Sequence, residues 1–283
     1  MKVSGVLLTI LISVCVNFSK AQTLDETYAF AEKQMERGNY DLAIKNFKRV
    51  LFFDSAYKFP ETTWLIADCN FASANYSDAL YFYQLAFNET DDDSIKAAGT
   101  IMKAASNLKL ENYSDALIDI YSFQGNATPE QLFNLRMLEG IITYNMGDYG
   151  QSEQNFKEAA HFTNSLSEDE ISTFFASVRK IEKRYNPKVA RTMSIIIPGS
   201  GQIYTGNYRS GINSFVLTAG LLTFGVYLTL GITPVDAFFI IAPWFQRYYM
   251  GGYKNAYNQA LDKQKDLKSE KLREIVNRLS NPN

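Results

Sequence analysis

The sequence predicts an all-α protein. An α-solenoid of about four helix pairs plus a capping helix comes first, followed by a transmembrane helical hairpin and an amphipathic C-terminal helix. Three observations carry this reading. The six residues NYSDAL occur at 75–80 and again at 112–117. Tyrosines at 40, 76, 113 and 149 repeat at intervals of 36, 37 and 36 residues, a period that marks stacked helical repeats. Residues 212–231 form a run of 20 uncharged residues, long enough to cross a bilayer as a helix.

The N-terminus reads as an export signal, 1–21. Lys2 supplies the positive start, Val6–Val16 an apolar core, and Ser19 and Ala21 the small residues flanking a cleavage before Gln22. An uncleaved anchor is the alternative; lipidation at Cys15 is disfavoured by the bulky Val14. Cleavage leaves Cys69 as the only cysteine and excludes an internal disulfide. With His161 the only histidine, zinc, copper and haem sites are not expected, and neither is any other cofactor.

The repeats occupy 22–185 together with their cap. Around each tyrosine stand related segments: GNYDLAIKNF (38–47), the two NYSDAL stretches and GDYGQSEQNF (147–156). The pattern resembles the tetratricopeptide repeat over about 22–165. The inter-helix turn falls at Gly38, Ala74 and Gly147, with Glu111 departing from the small-residue rule, and the turn tyrosines are Tyr40, Tyr76, Tyr113 and Tyr149. The small crossing residue is Ala43, Ala79, Ala116 and Ser152. The large apolar residue four further on is Phe47, Tyr83, Ile120 and Phe156. Ala31, Ala67, Ala104 and Gly140 are the small residues of the first helices. Ala86 and Ala159 fit the closing small position, whereas Val50 and Phe123 do not, and the usual terminal proline is mostly missing. NYSDAL is then a structural joint, with Ser or Asp capping the second helix. Helix pairs are expected near 25–37/41–53, 61–73/77–88, 94–109/114–123 and 130–145/149–162. A capping helix over 168–184 follows the start signal SLSEDE. The Asn-X-Ser/Thr matches at Asn75, Asn88, Asn112 and Asn126 follow from turn composition. The DDDS stretch at 91–94 is a solvated turn without calcium-loop spacing.

Composition changes after Asn186-Pro187. The repeat region 22–185 carries 15 Lys/Arg and 25 Asp/Glu, and 186–283 carries 11 and 5, so the two parts suit different environments. Within 186–253, the run 212–231 is followed by the turn ITPVD and a second apolar stretch, 237–253. That stretch is broken by Pro243 and bears Trp244, Tyr248, Tyr249 and Tyr253 as an interfacial belt. The segment PGSGQIYTGNYRSG resembles the P-G-x-G-Q-x-Y-x-G opening of small hairpin membrane domains in bacterial envelope proteins, and RYYMGGYKNAYNQA (247–260) resembles their close. The resemblance, over about 188–260, implies no activity. Pro198, Gly199, Gly201 and Gly206 break the helix and permit close backbone approach, while Gln202 and Tyr204 satisfy freed backbone groups. A phosphate cradle would need a lysine that is missing. A third segment, 189–204, crossing or dipping deeply would put Arg209 and the tail opposite the exported repeats. The tail, 254–283, reads as an amphipathic helix that packs on the hairpin, lies on lipid or pairs with a partner. Its net charge of +3 over 254–279 is too small to imply nucleic-acid binding.

These features predict a non-catalytic, membrane-anchored scaffold in the bacterial cell envelope. It sits at the inner membrane, with its repeats in the periplasm and a protein or peptide held in the repeat groove. Asn70, Lys103, Asn107 and Asn145 are the candidate contacts, and the acidity of the repeats suits a basic or mixed partner. An enzyme or transporter lacks a nucleophile and base, and Asp236 and Arg247 sit near segment ends, where they snorkel. A third reading makes the hairpin the working part, a homo-oligomer packed through Gly211, Gly220 and Gly225.

Overall fold

The computed structural model describes residues 22–163 and 165–281. The expected signal segment 1–21, with Cys15, lies outside the described residues. Among the described residues every regular element is an α-helix: α1 (Leu24–Glu36), α2 (Tyr40–Phe53), α3 (Thr62–Ala72), α4 (Tyr76–Asn88), α5 (Asp93–Lys109), α6 (Tyr113–Ser122), α7 (Pro129–Met146), α8 (Tyr149–Thr163), α9 (Glu168–Arg184), α10 (Pro187–Ile196), α11 (Ser200–Tyr204), α12 (Tyr208–Leu228) and α13 (Pro234–Ser280). They form two compact units, one up to Gly147 and one from Asp148 onward.

In the first unit each helix from α1 to α6 packs on its successor, and α5 also packs on α7. At the ends of α1, α3 and α5 the chain reverses by the same device. In α1, the N–H of Gly38 donates to the Met35 carbonyl at 2.9 Å and that of Asn39 to the Gln34 carbonyl at 2.9 Å. This is a Schellman end, which needs a left-handed residue, and Gly38 has φ +76°. Ala74 (φ +62°) with Asn75 ends α3, and Glu111 (φ +60°) with Asn112 ends α5, through the equivalent carbonyls. Glu111, the departure at this position, therefore adopts the backbone that a small residue was expected to supply.

One detail of the expected joint is corrected. The N-cap positions of α4 and α6 are Asn75 and Asn112, and neither side chain caps. Their backbone is already fixed by the preceding helix end. Asp78 and Asp115 lie one turn inside, where a carboxylate favours the positive end of the helix.

The repeated positions form the core. Ala31, Ala43 and Phe47 are buried with Val50 and Ile66. Ala67, Ala79 and Tyr83 make a second cluster. Ala104, Ala116 and Ile120 make a third with Leu135 and Ile142. Gly140 is buried in α7, and Gly147 ends that helix with φ +85°. Tyr40, Tyr76 and Tyr113 open the second helices; Tyr40 and Tyr113 lie against the first and third clusters, and Tyr76 meets Phe71 edge-on at 5.3 Å.

The second unit is organised by α13, a single helix of 47 residues, about 70 Å long. It runs through Pro243, where a break was expected. A proline removes one hydrogen bond from the ladder, but Ala237 and Ile241 on the preceding turns are buried, and α12 packs along α13 and holds its direction. The C-terminal part of α13 packs on α8 and α9. Ile275 and Leu279 are buried, Gln264 Nε2 donates to the Glu182 carbonyl at 3.3 Å, and Arg278 meets Glu170 at 2.6 Å. Lys268 Nζ donates to the Tyr149 hydroxyl at 2.9 Å and lies 3.3 Å from Glu182 Oε1. Ser152 and Phe156 are fully buried in α8, with Phe156 6.1 Å from Phe175 of α9. The amphipathic tail is thus seated on the helices 149–184.

That packing sets the tail beside the helices from which the three-crossing arrangement would separate it. Residues 187–204 form α10 and α11, of 10 and 5 residues, and a helix of 10 residues reaches about 15 Å, half a bilayer core. Among the described residues only α12 is long and apolar enough to cross a membrane. Its apolar side chains are outward-facing: Ile212, Phe215, Val216, Leu222, Phe224 and Val226 are all exposed.

The joint predicts a stability ordering. Glu111→Gly raises stability by about 0.5–1 kcal/mol by relieving a left-handed residue. Gly38→Ala lowers it by about 1 kcal/mol, since a Cβ there meets no neighbour and only the backbone objects. Denaturant midpoints of the two variants check both signs.

Candidate functional site

Two loci gather polar side chains. The first is a groove of ≈490 Å³ in the first unit, bordered by α1, α3 and α5. Met35, Leu65, Phe71 and Met102 give it an apolar floor, and Glu32, Glu36 and Asp68 line it. Glu32 and Asp68 hold one repeat position, each following the small residue of its first helix. Asp68 is positioned by the Tyr83 hydroxyl, which donates to Oδ1 at 2.6 Å. Burial lifts the Asp68 carboxyl above its usual range, against hydrogen bonds from Tyr83 and Trp64 that favour the anion. Among the described residues, none of these three carboxylates has a Lys or Arg in ion-pair contact. Cys69, beside Asp68, is buried, and burial pushes its thiol up to about 11, which leaves it unreactive near neutral pH.

The residues expected to contact a partner lie elsewhere. Lys103 Nζ sits 2.8 Å from Asp119 Oδ1 and 4.9 Å over the Phe87 ring. Asn107 Nδ2 donates to the other oxygen of Asp119 at 2.8 Å. Asn70 is buried and donates to the Ile66 carbonyl at 2.8 Å. Lys103 and Asn107 thus join α5 to α6 through Asp119, Asn70 bonds within its own helix, and all three are buried. A position left free by a repeat pattern is still buried when a neighbouring helix covers it. Asn145 is exposed and turns back on the Ile141 carbonyl. The sequence reading missed Glu32, Glu36 and Asp68; the acid that follows Ala31 and Ala67 was the available signal.

The second locus is the P-G-x-G-Q-x-Y-x-G segment, where α10, α11, α12 and α13 meet. Gly199 has φ +89°, and a Cβ there would enter the Gly211 carbonyl of α12. A Cβ on Gly201 would enter the Ala190 carbonyl of α10. Gln202 is fully buried. It accepts from Ser194 Oγ at 2.9 Å and donates to the Gly252 carbonyl at 2.8 Å, joining α10, α11 and α13. Ser194 Oγ in turn accepts from the Gly201 N–H at 2.9 Å. The Tyr204 hydroxyl accepts from the Asn186 N–H at 3.3 Å and donates to the Lys183 carbonyl at 3.4 Å, satisfying groups left over between α9 and α10. Pro198 lies in the bend between α10 and α11. Gly206 (φ +89°) with Asn207 ends α11 through the Ile203 and Gln202 carbonyls, the same device as Gly38 and Asn39. The GNY triplet shared by 38–40 and 206–208 is the signal that marked it. Every polar atom of this segment named here faces the chain itself, so its chemistry is structural. Gly211 and Gly225 are likewise packed within the unit, and only Gly220 of the expected oligomer glycines opens to free space.

No family model matches the chain, and no curated protein matches it.

The segment predicts two unequal losses. Gln202→Leu leaves the Gly252 carbonyl and the Ser194 hydroxyl without their partner and lowers stability by about 1–3 kcal/mol. Gly201→Ala forces α10 and α11 apart and lowers it by about 3 kcal/mol or more. Thermal unfolding of the detergent-solubilised chain, followed by circular dichroism, measures both.

Proposed function

We propose that this chain is a membrane-anchored, exported tetratricopeptide scaffold of the bacterial cell envelope. Its groove binds a basic segment of a protein partner, and the protein itself performs no catalysis. The observation that carries the reading is a groove of ≈490 Å³ with an apolar floor, lined by Glu32, Glu36 and Asp68, none of which has a Lys or Arg partner among the described residues. A Lys or Arg gains charge-assisted hydrogen bonds there, while its aliphatic stem covers Met35 and Met102. The recurrent helix end with a buried Ala and a large apolar residue in each pair supports the tetratricopeptide architecture. The outward apolar face of α12 and the first part of α13 support a two-crossing hairpin anchor, since a soluble protein rarely exposes so large an apolar patch. In this arrangement helices 149–184 and the tail share one side of the membrane. The N-terminal signal assigns that side to the exterior, and a domain as long as 22–185 is exported largely regardless of charge.

The test uses the full chain in detergent-solubilised membranes with in-cell crosslinking. Wild type captures a partner through a basic segment. Glu32→Lys with Glu36→Lys, two exposed substitutions, lowers capture about tenfold or more while the helical circular dichroism is unchanged. Equal capture by wild type and variant rules the groove out.

A further inference from the structure

The structure assigns anionic phospholipid headgroups to a basic collar at one end of the hairpin. The inference rests on the membrane reading above and goes beyond it by naming the lipid chemistry. From 186 to 261 the chain carries Lys188, Arg191, Arg209, Arg247 and Lys254, and a single acid, Asp236. All five cations are exposed, and among the described residues none is in an ion pair.

The fold gathers four of these cations, Lys188, Arg191, Arg209 and Lys254. The Arg191 guanidinium lies 5.4 Å over the Tyr253 ring, next to Lys254. Gln259 Nε2 donates to Ser210 Oγ at 3.2 Å, which brings this stretch of α13 beside Arg209. The Tyr249 hydroxyl donates to the Ile195 carbonyl at 2.8 Å, holding α10 against α13, and Arg247 lies beyond this contact, level with the middle of α12 and outside the collar. Asp236 sits at the opposite tip, held by the Thr233 hydroxyl at 2.6 Å, with 21 residues of α12 between. One end of the hairpin therefore carries Lys188, Arg191, Arg209 and Lys254, with the nearest acid of α13 at Asp262, one turn beyond Gln259.

Two details point to an anion rather than to a solvated positive rim. Most helices from α1 to α9 place an acid in the first turn, as the helix field favours. α10 and α12 place none there and carry Lys188 and Arg209 instead. An anion over the start of α12 meets Arg209 together with the first-turn N–H groups that the Asn207 side chain does not cap, whereas Asn186 already caps the start of α10. Beside Arg209 an open hollow follows α12, with Asn207, Arg209 and Ser210 at its start and Ile212, Asn213 and Val216 further along. A phospholipid fits there with its phosphate on Arg209 and Asn207 at the start of α12 and its acyl chain over the exposed Ile212, Phe215 and Val216. A soluble anion has no use for the apolar rail.

The full chain, purified in detergent, is reconstituted into vesicles of phosphatidylcholine alone and of phosphatidylcholine with phosphatidylglycerol. Flotation measures insertion, and mass spectrometry of re-extracted protein measures the lipid retained. The expected result is flotation with both compositions and retention enriched in phosphatidylglycerol. Arg191→Gln/Arg209→Gln/Lys254→Gln lowers that enrichment about tenfold or more, and the Arg191→Lys/Arg209→Lys pair keeps it. Flotation with equal enrichment in wild type and the Gln variant overturns the collar and leaves the anchor standing. Failure to float with either composition overturns the anchor and the collar with it.

Discussion

The left-handed residue that ends a helix is the constraint on which the rest of this structure depends. A helix leaves its last carbonyls unpaired, and here the chain satisfies them by turning one residue into the left-handed region and returning two N–H groups to the preceding turn. Gly38, Ala74, Glu111 and Gly206 all do this. In the first three, the reversal fixes where the next helix starts, so that Ala43, Ala79 and Ala116 face the preceding helix and disappear from solvent. The small residue permits close approach, and the large one four positions on, such as Phe47 or Tyr83, fills the space that the approach leaves. At Ala74 and Glu111 a side chain tolerates a backbone that glycine adopts freely. The packing of the adjoining helices outweighs that local strain of about 1–2 kcal/mol.

The second unit uses the same reversal and adds a harder requirement. Gly199, Gly201 and Gly211 stand where any Cβ would collide with a neighbouring backbone or side chain, so α10, α11 and α12 are in backbone contact. Gln202 supplies the polar link from that contact to α13. The long helix then continues past the hairpin and covers α8 and α9 with Ile275 and Leu279. A cut at 185, where composition changes, would strip the tail from its partners. The compact units instead divide at 147/148.

Most of the helical plan was legible in the sequence, because its signals are local. The spacing of Tyr40, Tyr76, Tyr113 and Tyr149 fixes the pairs, and SLSEDE marks the start of α9 at Glu168. What was not legible depended on distant partners. The burial of Lys103 and Asn107 is set by Asp119 on the next helix. The continuity of α13 through Pro243 is set by α12, which supports the flanking turns. The seat of the tail is set by helices about 100 residues earlier, and no local pattern announces it. The carboxylates of the groove fall between these cases. Glu32 and Asp68 share a repeat position, but their lack of a cationic partner emerges only from the folded chain.

In the function proposed above, an acidic groove in the first unit and a cationic collar on the apolar hairpin divide the labour of the molecule between a partner and a membrane. Both depend on the hairpin dipping in and out while the tail returns to helices 149–184. Labelling of single cysteines in intact and permeabilised cells with a membrane-impermeant thiol reagent tests this most directly. Asp169→Cys on α9, Lys265→Cys on the tail and Leu230→Cys at the hairpin tip are the positions, and the native Cys69 stays silent because it is buried. The account predicts that 169 and 265 label alike and that 230 behaves differently. Labelling of 169 and 265 from opposite sides of the membrane would contradict it.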